Sequence, residues 1–236
     1  WDAKKESFLS DVNWLNALSV SVNYGTTGSD AGPGAYDYFG LFGTGGLYNG
    51  EGSIGIAQPA NYELTWEKVA KLNIGFTARV FDRLNLELNY YSNKSSDMIM
   101  EIPYSFTTGF SSGVGNVGNM TNKGIEIDAQ VDILKNRDFN WTVKANVGYN
   151  KNEITELFGG RDSYTIQNTG VRYEKGKSYG EFYLPRRAGV DPRDGAPMWY
   201  DKDGNITKVY NEDNCTVWTG KNRYAPWIGG FGTNFT

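Results

Sequence analysis

The ten residues GIEIDAQVDI (124–133) alternate without a break. Ile125, Ile127, Ala129, Val131 and Ile133 are aliphatic, and Glu126, Asp128, Gln130 and Asp132 between them are polar. Successive side chains of a β-strand point to opposite faces, so the stretch predicts a strand with one oily and one acidic face. The pattern recurs. ALSVSVNY (17–24) sets Leu18, Val20, Val22 and Tyr24 against Ser19, Ser21 and Asn23. KLNIGFTARV (71–80) sets Leu72, Ile74, Phe76, Ala78 and Val80 against Asn73, Gly75, Thr77 and Arg79. LNLELNYY (84–91) and FNWTVKANVGYN (139–150) alternate in the same way. WIGGFGTNFT (227–236) follows more weakly, with Trp227, Phe231 and Phe235 in phase. About six strands satisfy the alternation rule, and the chain reads as all-β and antiparallel.

Two architectures accept such strands. In a soluble β-sandwich the oily face meets a second sheet. In an outer-membrane barrel it meets lipid, and the polar face lines a wet lumen. Alternation alone leaves both open. No run approaches the ~20 apolar residues of a membrane helix, and the mean hydropathy is −0.53. Barrels escape that test, because only alternate residues face lipid.

Loop lengths separate the two. FDR (81–83) and KNRD (135–138) are tight turns, whereas the connections at about 25–63, 92–121 and 151–226 are long. Short and long therefore alternate. In an antiparallel meander successive connections lie at opposite ends, so all short turns fall at one end and all long loops at the other. Outer-membrane barrels have that asymmetry, with short periplasmic turns and long extracellular loops. Loops beyond ~15 residues are also unusual unless functional. Strands rising from the periplasm then carry their oily phase up to Tyr24, Tyr90 and Tyr149, an outer aromatic girdle, with Phe139 and Trp141 near the inner one. Six strands cannot close a barrel whose smallest members need ~8. A polar phase this rich in Asn, Asp, Glu, Lys and Arg suits a wide lumen. The chain is expected to be part of a large barrel and an excerpt from a longer polypeptide.

Composition excludes several chemistries. The chain has 236 residues, no His, one Cys and a net charge of −4. Without His there is no His-based triad and no zinc site of the usual kind. Cys215 alone builds no internal disulfide. The acidic balance, with no basic stripe, argues against nucleic acid. DKDGNIT (201–207) places Asp201, Asp203, Asn205 and Thr207 at calcium-loop spacing, but Ile206 stands where that loop demands Gly. An Asp-Gly turn at Asp203–Gly204 is favoured, and PRDG (192–195) reads as another turn. The Gly-rich stretch at 43–55 lacks the Lys of a phosphate loop. Sequons at Asn93, Asn119, Asn140, Asn205, Asn214 and Asn234 are expected of an Asn-rich chain. Glu153 and Glu156 are read as solvated loop charge rather than a glycosidase pair, so no catalytic residue, metal ligand or cofactor is assigned.

Five blocks carry a resemblance. They are WLNALSVSVNYGTTGSD (14–30), LTWEKVAKLNIGF (64–76), NVGNMTNKGIEI (116–127), FNWTVKANVGYNKNEITEL (139–157) and AGVDPRDGAPMWYDKDGNIT (188–207). In this order they resemble the C-terminal barrel half of SusC/RagA-type TonB-dependent outer-membrane transporters. The resemblance implies that residues 1–236 are a partial barrel domain of the 22-strand class. It also implies an N-terminal plug and terminal strands lying elsewhere, a SusD-like lipoprotein lid, and energy from TonB. The cargo would be an oligosaccharide or oligopeptide. The alternative is a soluble secreted β-sandwich carbohydrate-binding module, and a glycoside hydrolase is a third possibility.

Binding residues concentrate on long loops carried by a rigid scaffold, and aromatic rings there stack on sugars or side chains. The candidates are Tyr36, Tyr38 and Phe42 in the first long loop, and Trp199, Tyr200, Tyr210 and Trp218 in the longest. Asn89, Glu126 and Asn146 are the candidates on the lumen face near its outer end.

Overall fold

The computed structural model describes residues 1–29, 34, 36–110, 112–166 and 171–236. Strand β1 (Leu15–Ser29) is followed by a hairpin of β2 (Leu41–Tyr48) and β3 (Glu51–Gln58). Next come β4 (Glu67–Val80) and β5 (Leu84–Ser96), a second hairpin of β6 (Ile99–Pro103) and β7 (Ser112–Asn116), and β8 (Asn119–Lys135) and β9 (Asn140–Glu156). The long stretch after β9 holds β10 (Ser163–Ile166), β11 (Val171–Glu174), β12 (Glu181–Val190), β13 (Pro197–Tyr200) and β14 (Ile206–Thr207). A one-turn helix α1 (Glu212–Cys215) leads into β15 (Thr216–Asn222), and β16 (Trp227–Phe235) closes the order.

The six strands read from the sequence form one antiparallel sheet in the order β1-β4-β5-β8-β9-β16. Their register puts the oily phases in line. One rung runs Val20, Phe76, Leu88, Ile127, Val147 and Gly229, and the next runs Leu18, Ala78, Leu86, Ala129, Ala145 and Phe231. The polar phases line up on the other side, as in Ser19, Thr77, Glu87, Asp128, Asn146 and Gly230. A one-residue slip would mix the faces, so the pattern itself specifies the register.

Among the described residues, nothing covers the oily face. Phe76 in the middle of the sheet is 43% exposed, Val22 65% and Phe231 77%. A sandwich would bury this face against a second sheet. Among the described residues the buried apolar side chains lie elsewhere, apart from Leu15 at the end of β1. The sandwich reading is therefore overturned. The sheet is open, with β1 and β16 at its edges.

Aromatic rings mark two levels on this face. Trp14 and Phe81 (6.1 Å), and Trp141 and Phe235 (5.8 Å), pair at the end with the tight turns. Tyr149 and Trp227 pair at 4.7 Å at the other end. Eight steps from Trp141 to Tyr149, at ~3.4 Å each and a tilt of ~40°, separate the levels by about 20 Å, close to the apolar band of a membrane barrel.

The turn 81–83 shows how the sheet's twist is met. Phe81 and Asp82 have φ of 54° and 55°, a left-handed pair that suits the strands' twist, in a three-residue connection where Val80 O accepts from Arg83 N–H at 3.1 Å. A bulky residue there is costly. Trp14 O accepting from Phe81 N–H at 2.8 Å, and Asn16 Oδ1 accepting from Asp82 N–H at 2.7 Å, hold it in place.

The structure corrects three sequence expectations. First, β1, β4, β5, β8 and β9 run 13 to 17 residues, well beyond the ~9–11 that span a bilayer. The long connections accordingly shrink to 30–66, 97–118 and 157–226. Alternation stops at Tyr24 and Tyr91 because both faces are wet beyond those levels, while backbone pairing continues. Second, the long connections are folded. They hold three hairpins and a sheet ordered β14-β13-β12-β15. Third, a bulge between Asp132 and Leu134 breaks the phase, and Leu134, not Ile133, pairs with Trp141.

The core cluster sits in this outer crown. Ile154, Leu157, Tyr164 and Tyr173 are buried together, with Met100 against them. Burial pushes the Tyr164 phenol up to about 12, with Tyr179 and Glu101 adding to the rise. Asp201 forms the expected turn. Its Oδ1 accepts from Asp203 N–H (3.0 Å) and Asn205 N–H (2.7 Å), and Gly204 has φ 87°. The second turn, at 192–195, is closed by Asp191 O accepting from Gly195 N–H at 2.8 Å. Buried Asp191 meets Lys208 at 2.5 Å and Arg193 at 3.2 Å. Hydrogen bonds from Arg193 and then Lys208 hold its carboxyl well below the usual range. Asp191, followed by Asp194, raises Lys208.

The signs give a window. The contribution of Asp191 is present above the unfolded value of about 3.9 and is lost as pH falls through the lower folded value. That of Lys208 is present below about 10.4 and is lost as pH rises through the higher folded value. Limited proteolysis should find the β12–β13 hairpin resistant between these limits and cut outside them. Lys208→Met should make it labile within the window, and an unchanged profile in that variant would refute the account.

Candidate functional site

The polar face is concave and graded. Asn85, Gln130 and Lys144 share one rung, and Glu87, Asp128 and Asn146 the next. Asn89, Glu126 and Gly148 follow, and then Tyr91, Gly124 and Asn150. Asn93, Asn122 and Asn152 form the highest of these rungs. Glu87 directly opposite Asp128 is a like-charge pair, which opposes pairing, and the Asn89 amide donates to Glu87 at 2.9 Å.

Several hollows follow this face among the described residues. A trough of about 480 Å³ lies over Glu87, Asp128, Lys144 and Asn146. A hollow of about 260 Å³ above it is lined by Tyr91, Glu126, Asn150 and Pro226. The third, about 730 Å³, opens between wall and crown and is lined by Asn122, Asn152, Ser178, Tyr179, Asn222 and Arg223.

Hydrogen bonds join wall to crown there. The Asn152 amide donates to Asn122 Oδ1 at 2.9 Å, and its oxygen accepts from Ser178 Oγ (3.0 Å) and Tyr179 N–H (2.8 Å). Asn222 Nδ2 donates to Ser178 Oγ at 2.6 Å. Tyr91 donates to Asn150 Oδ1 at 3.1 Å. Its ring and the Tyr149 carbonyl oxygen together occupy the space a side chain at Gly124 would take. Gly124→Ala should push the ring off Asn150, reshape the middle hollow and, because the Tyr149 carbonyl oxygen cannot swing aside, strain the β8–β9 pairing and lower the stability of the assembled barrel. A crystal structure of the variant with Tyr91 unmoved would refute this role.

The ten candidate residues fall in three places. Asn89, Glu126 and Asn146 come together on the polar face, with Asn89 directly opposite Glu126. Trp199 packs on Tyr210 at 5.0 Å, and Arg186 lies over Tyr200 at 5.3 Å. Trp218 is held by Tyr183 at 5.0 Å, by Lys177 over its ring at 5.5 Å, and by Glu174 accepting from Nε1 at 3.0 Å. That gives Trp218 a packing role in the crown. In the first long loop Tyr38 packs edge-on against Phe39 and Tyr62, both at 5.2 Å, while Tyr36 and Phe42 stand exposed.

Sequence reasoning missed Tyr91, Asn93, Asn122, Asn150, Asn152 and Arg223. The first five continue the polar phases of β5, β8 and β9 outward, so counting by twos past the last oily residue would have found them. No signal marked Arg223. Among the described residues, no group of three or more acidic or Cys side chains is placed to hold a metal ion. No helix among the described residues is long and apolar enough to cross a membrane, which says nothing of strands.

An open antiparallel wall with an uncovered oily face between two aromatic levels, a polar concave face and a folded crown at one end is a segment of an outer-membrane β-barrel. Comparison with known proteins narrows the class. Residues 9–235 match the TonB dependent receptor-like, beta-barrel family, and the chain belongs to it. It is 30% identical over 191 residues to TonB-dependent receptor P39 of Formosa agariphila, covering 80% of this chain and 18% of that protein. It is 29% identical over 229 residues to the TonB-dependent receptor SusC of Bacteroides thetaiotaomicron, covering 88% and 23%. The solved RagAB peptide transporter superposes with a TM-score of 0.86 at 31% identity, over 100% of this chain and 26% of that one. The chain thus spans about a fifth to a quarter of these relatives. It is of the SusC/RagA type and lies in the outer membrane. The tight turns accordingly face the periplasm and the crown faces outward.

Proposed function

We propose that this chain forms wall and extracellular loops of an outer-membrane importer that takes up nutrient oligomers, either glycans or oligopeptides. Residues 1–236 are one part of its barrel domain, in a barrel of the 22-strand class with a plug from another part of the polypeptide. A SusD-like lipoprotein covers the crown, and TonB supplies the energy. The observation that carries the reading is the polar groove that runs down the lumen face from the mouth beneath the crown. The names of SusC and of the RagAB peptide transporter support it. In the proposed cycle the lid opens, cargo binds at the outer face, the lid closes, and TonB pulling on the plug opens a periplasmic exit. The reading assigns no catalysis.

The test uses the full-length protein in its native membrane. It should fractionate with the outer membrane, co-purify with a surface lipoprotein, and support uptake of a labelled oligopeptide or glycan that stops when TonB is deleted. Uptake that persists without TonB would sink the energised step, and recovery without a lipoprotein would sink the lid.

A further inference from the structure

We infer that the groove at the outer mouth is built for a short free oligopeptide, held by its main chain with the N-terminus deep and the C-terminus outward. The inference rests on the importer reading above and specifies its cargo. Three observations carry it: charge placed at the two ends, amides between them, and the length.

The deep end is acidic. Glu126 lines the middle hollow with Asp128, and Glu87 faces Asp128 across the strands one rung below. Three carboxylates on adjacent rungs suit an ammonium group, and Lys144 stands a further rung down, opposite Gln130. The outer end carries Arg223, whose partner among the described residues is the Tyr224 ring at 5.3 Å. A guanidinium matches a carboxylate through paired N–H donors. Both hollows are lined by Asn150, so they form one groove. A neutral glycan has no use for opposite charges at the two ends.

Between the ends the lining is amide-rich. Asn73, Asn93, Asn122 and Asn150 surround a space of about 430 Å³ with Tyr91 and Glu126. Asn93 Oδ1 is buried without a hydrogen-bond partner among the described residues, a state that asks for a donor. An Asn side chain offers one donor edge and one acceptor, the same pair that a peptide unit presents. Side chains on one face of a strand repeat every ~6.8 Å, which is also the two-residue repeat of an extended peptide. The ring suited to stacking on a sugar, Tyr91, is tied to Asn150.

The length also fits. Asn122 and Glu126 lie four residues apart on β8, which is about 14 Å and close to the reach of four or five extended residues. Recognition by main chain and termini would tolerate many sequences.

The test is calorimetry on the full-length transporter with its lipoprotein in detergent. The probes are a pentapeptide of Gly, Ala and Ser with free termini, its N-acetylated and C-amidated forms, and maltopentaose. The free peptide should bind, and each blocked form should bind about tenfold more weakly. Maltopentaose should bind least. Glu126→Gln should erase the penalty for acetylation and Arg223→Gln that for amidation, while Arg223→Lys keeps the latter. The heat-dependent gel shift of an intact barrel verifies that each variant is folded. Equal binding of free and blocked peptides, tighter binding of maltopentaose, or binding of none of the probes would each overturn the inference. Maltopentaose that is bound and imported would do so while leaving the importer reading intact. Absence from the outer membrane would remove that reading itself.

Discussion

Arginine at Leu86 is expected to cost ~2–4 kcal/mol of barrel stability, the range for a cation on the lipid face at mid-bilayer. Leu86 shares its rung with Ala78, Ala129, Ala145 and Phe231, midway between the two aromatic levels. Among the described residues, no neighbouring sheet shelters a charge there. At Val131 the penalty should be smaller, because that residue pairs with Leu84 and Val143, a rung nearer the periplasmic girdle. At Asn85 it should be smaller still, because Asn85 pairs with Arg79 and Gln130 on the wet face. Urea titration of the refolded full-length barrel in lipid vesicles measures all three. The order Leu86, Val131, Asn85 is the expected result, and equal costs at Leu86 and Asn85 would contradict the assignment of faces.

The second large effect lies in the crown. Tyr173 is 8% exposed and touches Tyr164 edge-on at 5.5 Å and Tyr179 face-on at 5.2 Å. Tyr173→Ala opens a cavity in this small core, and a buried aromatic cut back to Ala costs about 3–5 kcal/mol. Tyr179 N–H is the group that binds Asn152 at the mouth, so the damage should reach the groove. The expected phenotype is a split one. Segment 157–226 becomes sensitive to added protease on intact cells, and cargo binding falls, while the heat-modifiable band of the folded barrel remains. Simultaneous loss of the barrel would show that wall and crown are one cooperative unit.

The sequence was most legible where lipid dictates it. GIEIDAQVDI and its counterparts read as strands because hydrocarbon on one side and water on the other force a period of two, and all the strands so read are in the wall. The same physics explains what was hidden. Above Tyr24, Tyr91 and Tyr149 water meets both faces, so Ser92, Asn93, Lys94, Lys151 and Asn152 read as loop although their backbones stay paired. Bulges leave no reliable mark on composition, so the switch from Ile133 to Leu134 was not visible. At the site, Asn89, Glu126 and Asn146 were legible because they lie within the alternating stretch. Asn150 ended an alternating stretch without being singled out, Asn122 stood just ahead of GIEIDAQVDI, and Arg223 depends on how the crown folds back over the wall. Aromatic richness pointed to Trp218, whose ring packs against Tyr183 within the crown.

The buried cluster of Ile154, Leu157, Tyr164 and Tyr173 lies outside the bilayer, whereas the wall is ordered by strand pairing and lipid. Two portions that draw stability from separate sources can change separately. Mutations that remodel the crown need not disturb insertion of the wall, and the alternating strands constrain little beyond polarity on each face. A lineage can therefore re-tailor its diet by drifting in the crown and rim while inheriting the same staves, so divergence among relatives should concentrate above the outer tyrosines.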